Sequence, residues 1–99
     1  MKKINFREVK DVLRGSEYMI LRQLLPNGKR KGNEFVALNP TREDKNLGSF
    51  RININSWKWA DFATNDRGSD IISLYAYIKG INQLAAAKEL IEIGGRIYD

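Results

Sequence analysis

The sequence contains no cysteine and no histidine among its 99 residues. These absences exclude disulfides, thiol nucleophiles, imidazole bases and the usual ligands of a zinc ion. No apolar run approaches the roughly 18 residues that a membrane span requires, and Met1-Lys2-Lys3 is not followed by a hydrophobic segment. The sequence therefore predicts a cytoplasmic protein with no signal peptide, no membrane partner and no cofactor.

The composition fits one small domain with one modest core, which we expect to span residues 1–99. Hydrophobic residues make up 42% of the chain, and single domains of this size usually fold alone. Seventeen Lys and Arg against twelve Asp and Glu give a net charge of +5. The excess is concentrated between Lys29 and Arg67, because the C-terminal half is nearly balanced. A basic balance of this kind favours a polyanionic partner such as nucleic acid.

The first 25 residues predict a helical lead-in. Asn5 is a suitable N-cap for a helix over 6–13, and Gly15 would end it. Ser16 is placed to cap a second helix over 17–25. The apolar run within 18–21 would also suit a strand, so both structures remain open for that segment.

Residues 29–64 predict a three-stranded antiparallel sheet over 34–38, 49–54 and 57–62. Asn55-Ser56 would form the tight connection between the last two strands. The segment Lys29–Lys31 precedes the sheet, and we expect it to be a mobile hairpin or loop with an exposed basic tip. This tip would be either a solvated turn or a contact for phosphate.

Beyond the sheet the hydrophobic period changes to 3.6, which predicts a helical pair over 69–93. Ser69 or Asp70 would cap its first helix and Gly80 would end it. Asn82 would cap the second helix, which is expected to run to Gly94-Gly95. The tail 96–99 would be a short strand or simply a cut end. The predicted fold class is therefore α+β, with helices before and after a small sheet in the chain.

The central stretch also carries a family resemblance. Its features, in order, are Asn39-Pro40-Thr41-Arg42, Asp44-Lys45, Ser49-Phe50, Trp59, Asp61-Phe62-Ala63-Thr64 and Gly68-Ser69-Asp70. This order and spacing resembles the Cys-His-Cys-Cys zinc-binding domain at the N-terminus of bacterial-type replicative primases. The resemblance implies a zinc-ribbon-like sheet in a protein of phage or mobile-element replication, where such modules engage template DNA and catalysis resides in other domains. It therefore implies that this chain is not itself an enzyme.

The four zinc-ligand positions of that family hold Asn39, Arg42, Asp61 and Thr64 here. Of these, only Asp61 is an ordinary metal ligand, and a lone carboxylate does not make a structural zinc site. The sequence thus predicts a zinc-less relative of the family. In place of the metal we expect a cross-turn ion pair between Arg42 and Asp61, with hydrogen bonds from Asn39 and Thr64.

Cationic and aromatic side chains of the central stretch predict a site for single-stranded DNA, in which cations contact phosphates and aromatic rings stack on bases. The candidate residues are Lys29, Arg30, Lys31, Arg42, Lys45, Arg51, Lys58, Arg67, Trp57 and Trp59. On a pleated strand Trp57, Trp59 and Asp61 would share one face, while Lys58 and Phe62 would share the other. If the helices cover the tryptophan face, the Lys58 face remains free.

Two other functions stay open at this point. A protein-interaction module would dock through its helices onto a primase, polymerase or helicase partner, with little dependence on salt. A magnesium site for phosphoryl transfer would draw on the acidic residues Glu43, Asp44, Asp61, Asp66 and Asp70. Against that site, Asp70 is placed to cap a helix and Asp66 lies beside Arg67 in a turn.

Overall fold

The computed structural model of the chain describes the backbone of residues 4–98 and the side chains of residues 4–94. The fold is α+β, as the sequence predicts, with helices before and after an open antiparallel sheet. The helices are α1 (Phe6–Leu13), α2 (Glu17–Leu24), α3 (Ile71–Lys79) and α4 (Gln83–Tyr98). The strands are β1 (Lys29–Lys31), β2 (Glu34–Ala37), β3 (Phe50–Asn53), β4 (Trp59–Asp61) and β5 (Asp66–Gly68).

The sheet has five strands in the order β1-β2-β3-β4-β5, so the prediction of three strands is wrong. Both additional strands lie at the edges. Lys29–Lys31 pairs with β2 through a two-residue turn, in which Gly32 has a φ of +62°, a conformation that glycine adopts without strain. Each edge strand is polar and does not alternate apolar with polar residues. The hydrophobic pattern by which strands are predicted is therefore missing from both.

The connection between β3 and β4 is longer than predicted. It covers 54–58 rather than Asn55-Ser56 alone, and the Asn53 side chain accepts hydrogen bonds from the backbone N–H groups of Asn55 and Ser56. Trp57 lies in this connection with a φ of +65°. It is therefore not a strand residue, and the predicted strand begins two residues later, at Trp59.

The helices cover one face of the sheet and leave the other face open. Register places Phe35, Phe50 and Trp59 on the covered face, where all three are buried. Rings from the helices meet them: Tyr77 of α3 lies 4.7 Å from Trp59, and Tyr18 of α2 lies 6.0 Å from Phe35, between ring centroids. The hydrophobic core therefore lies between this face and the four helices.

The predicted helix caps are largely confirmed. The Asn5 side chain accepts from the first turn of α1, Asp70 forms a capping box with Ser73 at α3, and Asn82 accepts from Ala85 at α4. Gly80 ends α3 in the left-handed conformation. The segment 18–21 lies in α2, which decides between the two structures left open for it.

The predicted end of the last helix at Gly94-Gly95 is wrong, because α4 continues to Tyr98. The reading of 96–98 as a strand is wrong for the same reason, and Asp99 lies outside the described residues. Gly94 serves a close helix contact instead. A Cβ atom added there would lie 3.1 Å from Leu13 Cδ2 and 3.4 Å from Val12 Cγ1, so the missing side chain lets α4 approach α1.

No helix within the described part of the chain is long and apolar enough to cross a membrane. The first three residues, on which the expectation of no signal peptide partly rests, lie outside that part.

Candidate nucleic-acid interface

A buried ion pair joins the turn that follows β2 to the end of β4. Arg42 Nε donates to Asp61 Oδ2 at 2.9 Å, and Arg42 Nη2 lies 3.4 Å from Asp61 Oδ1. Asp61 is fully buried, and the Arg42 side chain is 28% exposed. The two parallel contacts form the fork that guanidinium and carboxylate groups prefer, so the predicted pair is confirmed.

Asn39 joins this network, as predicted. Its Nδ2 donates to Asp61 Oδ2 at 2.8 Å and lies 2.8 Å from the Tyr77 hydroxyl oxygen, which in turn donates to Asp66 Oδ2. The network therefore extends from the β2 turn to helix α3.

The predicted hydrogen bond from the Thr64 side chain is wrong. Thr64 is exposed, and its Oγ1 accepts from the backbone N–H of Asp66 instead. The carboxylate is satisfied locally by the backbone N–H of Ala63, which donates to Asp61 Oδ1 at 2.9 Å. The turn thus supplies a backbone donor where a threonine hydroxyl was expected.

Burial by itself would raise the pKa of Asp61, but the hydrogen bonds from Arg42 and Asn39 outweigh it and lower that pKa to about 2. Asp61 is therefore ionised at neutral pH. The four ligand positions supply an amide, a guanidinium, one fully hydrogen-bonded carboxylate and an exposed hydroxyl, and this donor set does not fit a zinc ion.

The network also determines what Arg42 is free to do. Its Nη2 donates to Ser49 Oγ at 2.9 Å and lies 3.3 Å from Asp44 Oδ2, in addition to the contacts with Asp61. Two carboxylates thus surround one guanidinium, which leaves no positive excess for a phosphate. We therefore assign Arg42 to the fold rather than to the nucleic-acid interface.

The open face of the sheet carries a row of cations in register. Lys29 pairs with Val36, Val36 with Arg51, Arg51 with Ala60, and Ala60 with Arg67. Partners in an antiparallel register point to the same face. Cations on β1, β3 and β5 therefore alternate with small apolar residues on β2 and β4, across the whole width of the sheet.

Further residues extend this positive surface. Lys31 lies two residues from Lys29 on the same face, and Lys58 borders a shallow depression that Arg51 also lines. Among the strand residues of this face, four are cations and one, Glu34, is acidic. We call this surface the open face.

Phe62 is the aromatic residue that the sequence candidates missed. It follows β4 directly, is 68% exposed, and lines the same depression as Lys58. The sequence did indicate the exposure of Phe62, because the alternation of side chains along a strand places Phe62 and Trp59 on opposite faces. The residues named for stacking, Trp57 and Trp59, instead contact the core.

Other predicted site residues lie elsewhere. Trp59 is buried and its Nε1–H donates to Ser73 Oγ at 3.0 Å, so its predicted stacking on a base is wrong. Trp57 is half-buried and packs against the core. Arg30 points to the covered side, where its guanidinium lies 6.0 Å from the Tyr18 ring centroid. Lys45 is exposed in the loop between β2 and β3.

The acidic residues of the alternative magnesium site are spread over separate contacts. Asp61 and Asp44 hold Arg42, Asp66 accepts from Tyr77, and Asp70 caps α3 and pairs with Lys10. Within residues 4–98, no three acidic side chains converge on a point that could hold a metal ion.

The chain matches no family model, no curated protein and no solved structure.

Proposed function

We propose that this chain is a non-catalytic module that binds single-stranded DNA on its open face, as part of a primase or another replication protein. The observation that carries the proposal is the in-register row of Lys29, Arg51 and Arg67. The replication context rests on the resemblance of the central stretch to primase zinc-binding domains.

The row indicates a path for the strand across the sheet rather than along it. From β1 to β5 it spans four inter-strand spacings of about 4.8 Å, or about 19 Å. Val36 and Ala60 lie between the cations in the register; Val36 is buried and Ala60 is partly exposed. A path of this length favours a footprint near the low end of the roughly 4–16 nucleotides that OB folds bind.

Charge sets the expected salt dependence. The open face offers Lys29, Lys31, Arg51, Lys58 and Arg67, and Arg51 shares its charge with Glu34. If about four phosphates are neutralised, the log–log salt slope should be near −3, since each contact with a single strand contributes roughly −0.7.

Strand β1 provides a matched test because its neighbouring cations point to opposite faces. In the variant Lys29→Gln/Lys31→Gln we expect weaker binding of an oligonucleotide and a slope smaller by about 1.4. The control Arg30→Gln/Arg22→Gln removes the same charge from the helical side and should keep the wild-type slope. Fluorescence anisotropy at several salt concentrations measures both, with melting curves to verify folding. An equal loss of affinity and salt slope in the two variants would contradict binding on the open face. If the wild-type protein showed no salt-dependent binding of the oligonucleotide, the proposed function itself would be contradicted.

Phe62 tests the aromatic part of the interface. Stacking is worth about 1–3 kcal/mol per base by alanine substitution, so Phe62→Ala should weaken binding by about tenfold while leaving the salt slope unchanged. Because the side chain is largely exposed, the melting temperature should change little. Unchanged affinity would remove Phe62 from the interface.

A groove beside α2 supports a second candidate function, docking onto a primase, polymerase or helicase partner. The groove has a volume of about 560 Å³ and is lined by Tyr18, Met19, Arg22 and Pro26, with Met19 52% exposed. Docking at such a surface would depend little on salt. Absence of DNA binding together with loss of a partner on Met19→Asp would favour this candidate.

A further inference from the structure

The open face contains one feature that phosphate binding does not explain. Glu34 lies among the cations, and its Oε1 accepts from Arg51 Nη1 at 3.3 Å. A carboxylate at this position opposes phosphate binding. It lines the same depression as Phe62, of about 210 Å³, whose walls also include Arg51, Asn53, Lys58 and Ala60.

The Glu34–Arg51 pair is held in a defined orientation. Arg51 Nε donates to the backbone oxygen of Gly48 at 2.7 Å, so the guanidinium is fixed from two sides. Both side chains remain about 40% exposed. Glu34 Oε2 and Arg51 Nη2 have no hydrogen-bond partner among the described residues. Two side chains that line the depression thus keep a free acceptor and a free donor.

We propose that this depression is a nucleobase subsite that prefers guanine, formed by stacking on Phe62 and by hydrogen bonds to Glu34 and Arg51. The proposal rests on the proposed function, since it requires that a single strand occupies the open face. It assigns to Glu34 a role in base selection that a phosphate-binding surface does not need.

Guanine fits the pair by its hydrogen-bonding groups. Its Watson–Crick edge presents two neighbouring donors, N1–H and N2–H, beside the acceptor O6. Glu34 can accept from both donors, through the free Oε2 and the remaining lone pair of Oε1, while Arg51 Nη2 donates to O6. Thymine presents one donor between two acceptors, so its edge places an acceptor against the carboxylate. Adenine and cytosine offer one donor group each. Unstacked bases of single strands are read on this edge.

The test compares octamers that differ at one base. The probes are octathymidylate and the same octamer with one central guanine, cytosine, adenine or hypoxanthine. Hypoxanthine lacks the 2-amino group and so removes one donor from guanine. We expect the guanine octamer to bind about tenfold more tightly than octathymidylate, with the hypoxanthine octamer between them.

Glu34→Gln and Glu92→Gln form a matched pair of variants. Each removes one negative charge from an exposed site, Glu34 on the open face and Glu92 on α4. In Glu34→Gln the guanine and thymine octamers should bind within about twofold of each other, whereas Glu92→Gln should retain the preference. A glutamine presents both a donor and an acceptor, so it no longer matches two neighbouring donors.

The outcomes separate this inference from the proposed function. Equal affinity of the wild-type protein for all octamers, or a preference for guanine that survives Glu34→Gln, would overturn the subsite and leave the proposed function standing. Absence of binding to every octamer would overturn both.

Discussion

The buried carboxylate of Asp61 leads to the strongest prediction for stability. Asp61→Asn keeps the shape of the side chain and removes its charge. The carboxylate accepts four hydrogen bonds, two from Arg42 and one each from Asn39 and Ala63. An amide offers one acceptor oxygen, and its NH2 group would face donors. Part of the network therefore stays unpaired in the variant.

The magnitude follows from the cost of breaking a buried charged network. Hydrogen bonds to charged groups contribute about 1.5–3 kcal/mol each, and removing one partner of a buried pair costs about 3–5 kcal/mol. Because the Asn side chain keeps one acceptor oxygen and Arg42 keeps its contact with Asp44, we expect the free energy of unfolding to fall by about 3 kcal/mol. For a domain of this size that loss lowers the melting temperature by roughly 12–24 °C.

Urea and thermal unfolding followed by circular dichroism measure this change, with Asp11→Asn as the control. Asp11 also pairs with an arginine, Arg14, but both side chains are more than half exposed, and exposed pairs are worth about 0–1 kcal/mol. If Asp61→Asn lost no more stability than Asp11→Asn, the reasoning that the buried Arg42–Asp61 pair links the two turns would be refuted.

Three further predictions concern acid, metal and packing. The pKa of Asp61 is about 2 in the folded chain and about 3.9 when unfolded. Its contribution of roughly 2–3 kcal/mol is therefore complete above about pH 5 and lost progressively as the pH falls towards 1, and urea titrations should show this loss in the wild type but not in Asp61→Asn. A chelator should leave the melting curve unchanged, and stoichiometric zinc found by elemental analysis would contradict this. Gly68→Ala should cost about 1–3 kcal/mol, because its Cβ would lie 2.5 Å from both Trp59 Nε1 and Ser73 Oγ. Gly32→Ala, where nothing lies within 4 Å, should cost at most about 1 kcal/mol, from its positive φ alone. Equal losses in the two glycine variants would show that contact at Gly68 is unimportant.

Short-range chemistry made much of this fold predictable. Asn5, Asp70 and Asn82 cap helices because their side chains reach backbone N–H groups only two or three residues away. Strand β3 alternates buried and partly exposed residues, which is the pattern that a half-covered sheet requires, whereas β2 carries three consecutive buried apolar residues. The prediction of the Arg42–Asp61 pair had a different source, the resemblance of the central stretch to primase zinc-binding domains, and that resemblance itself stays a prediction.

What escaped prediction depends on contacts between distant segments. The edge strands β1 and β5 are polar and short, and they exist because a neighbouring strand offers backbone partners. Gly94 lies inside α4 because α1 packs against it. The sequence does not distinguish a glycine that ends a helix from a glycine that lets a neighbouring helix pack closely.

The sequence by itself determined the α+β class, the caps of three helices, the three inner strands and the excess of positive charge, since each depends on residue type and local spacing. Only the tertiary structure decided which cations lie side by side. Lys29, Arg51 and Arg67 lie on three different strands, and the antiparallel register aligns them. Arg30 is adjacent to Lys29 in the chain yet points to the opposite face, because successive side chains of a strand alternate. The pairing of strands, rather than proximity in the sequence, thus defines the open face.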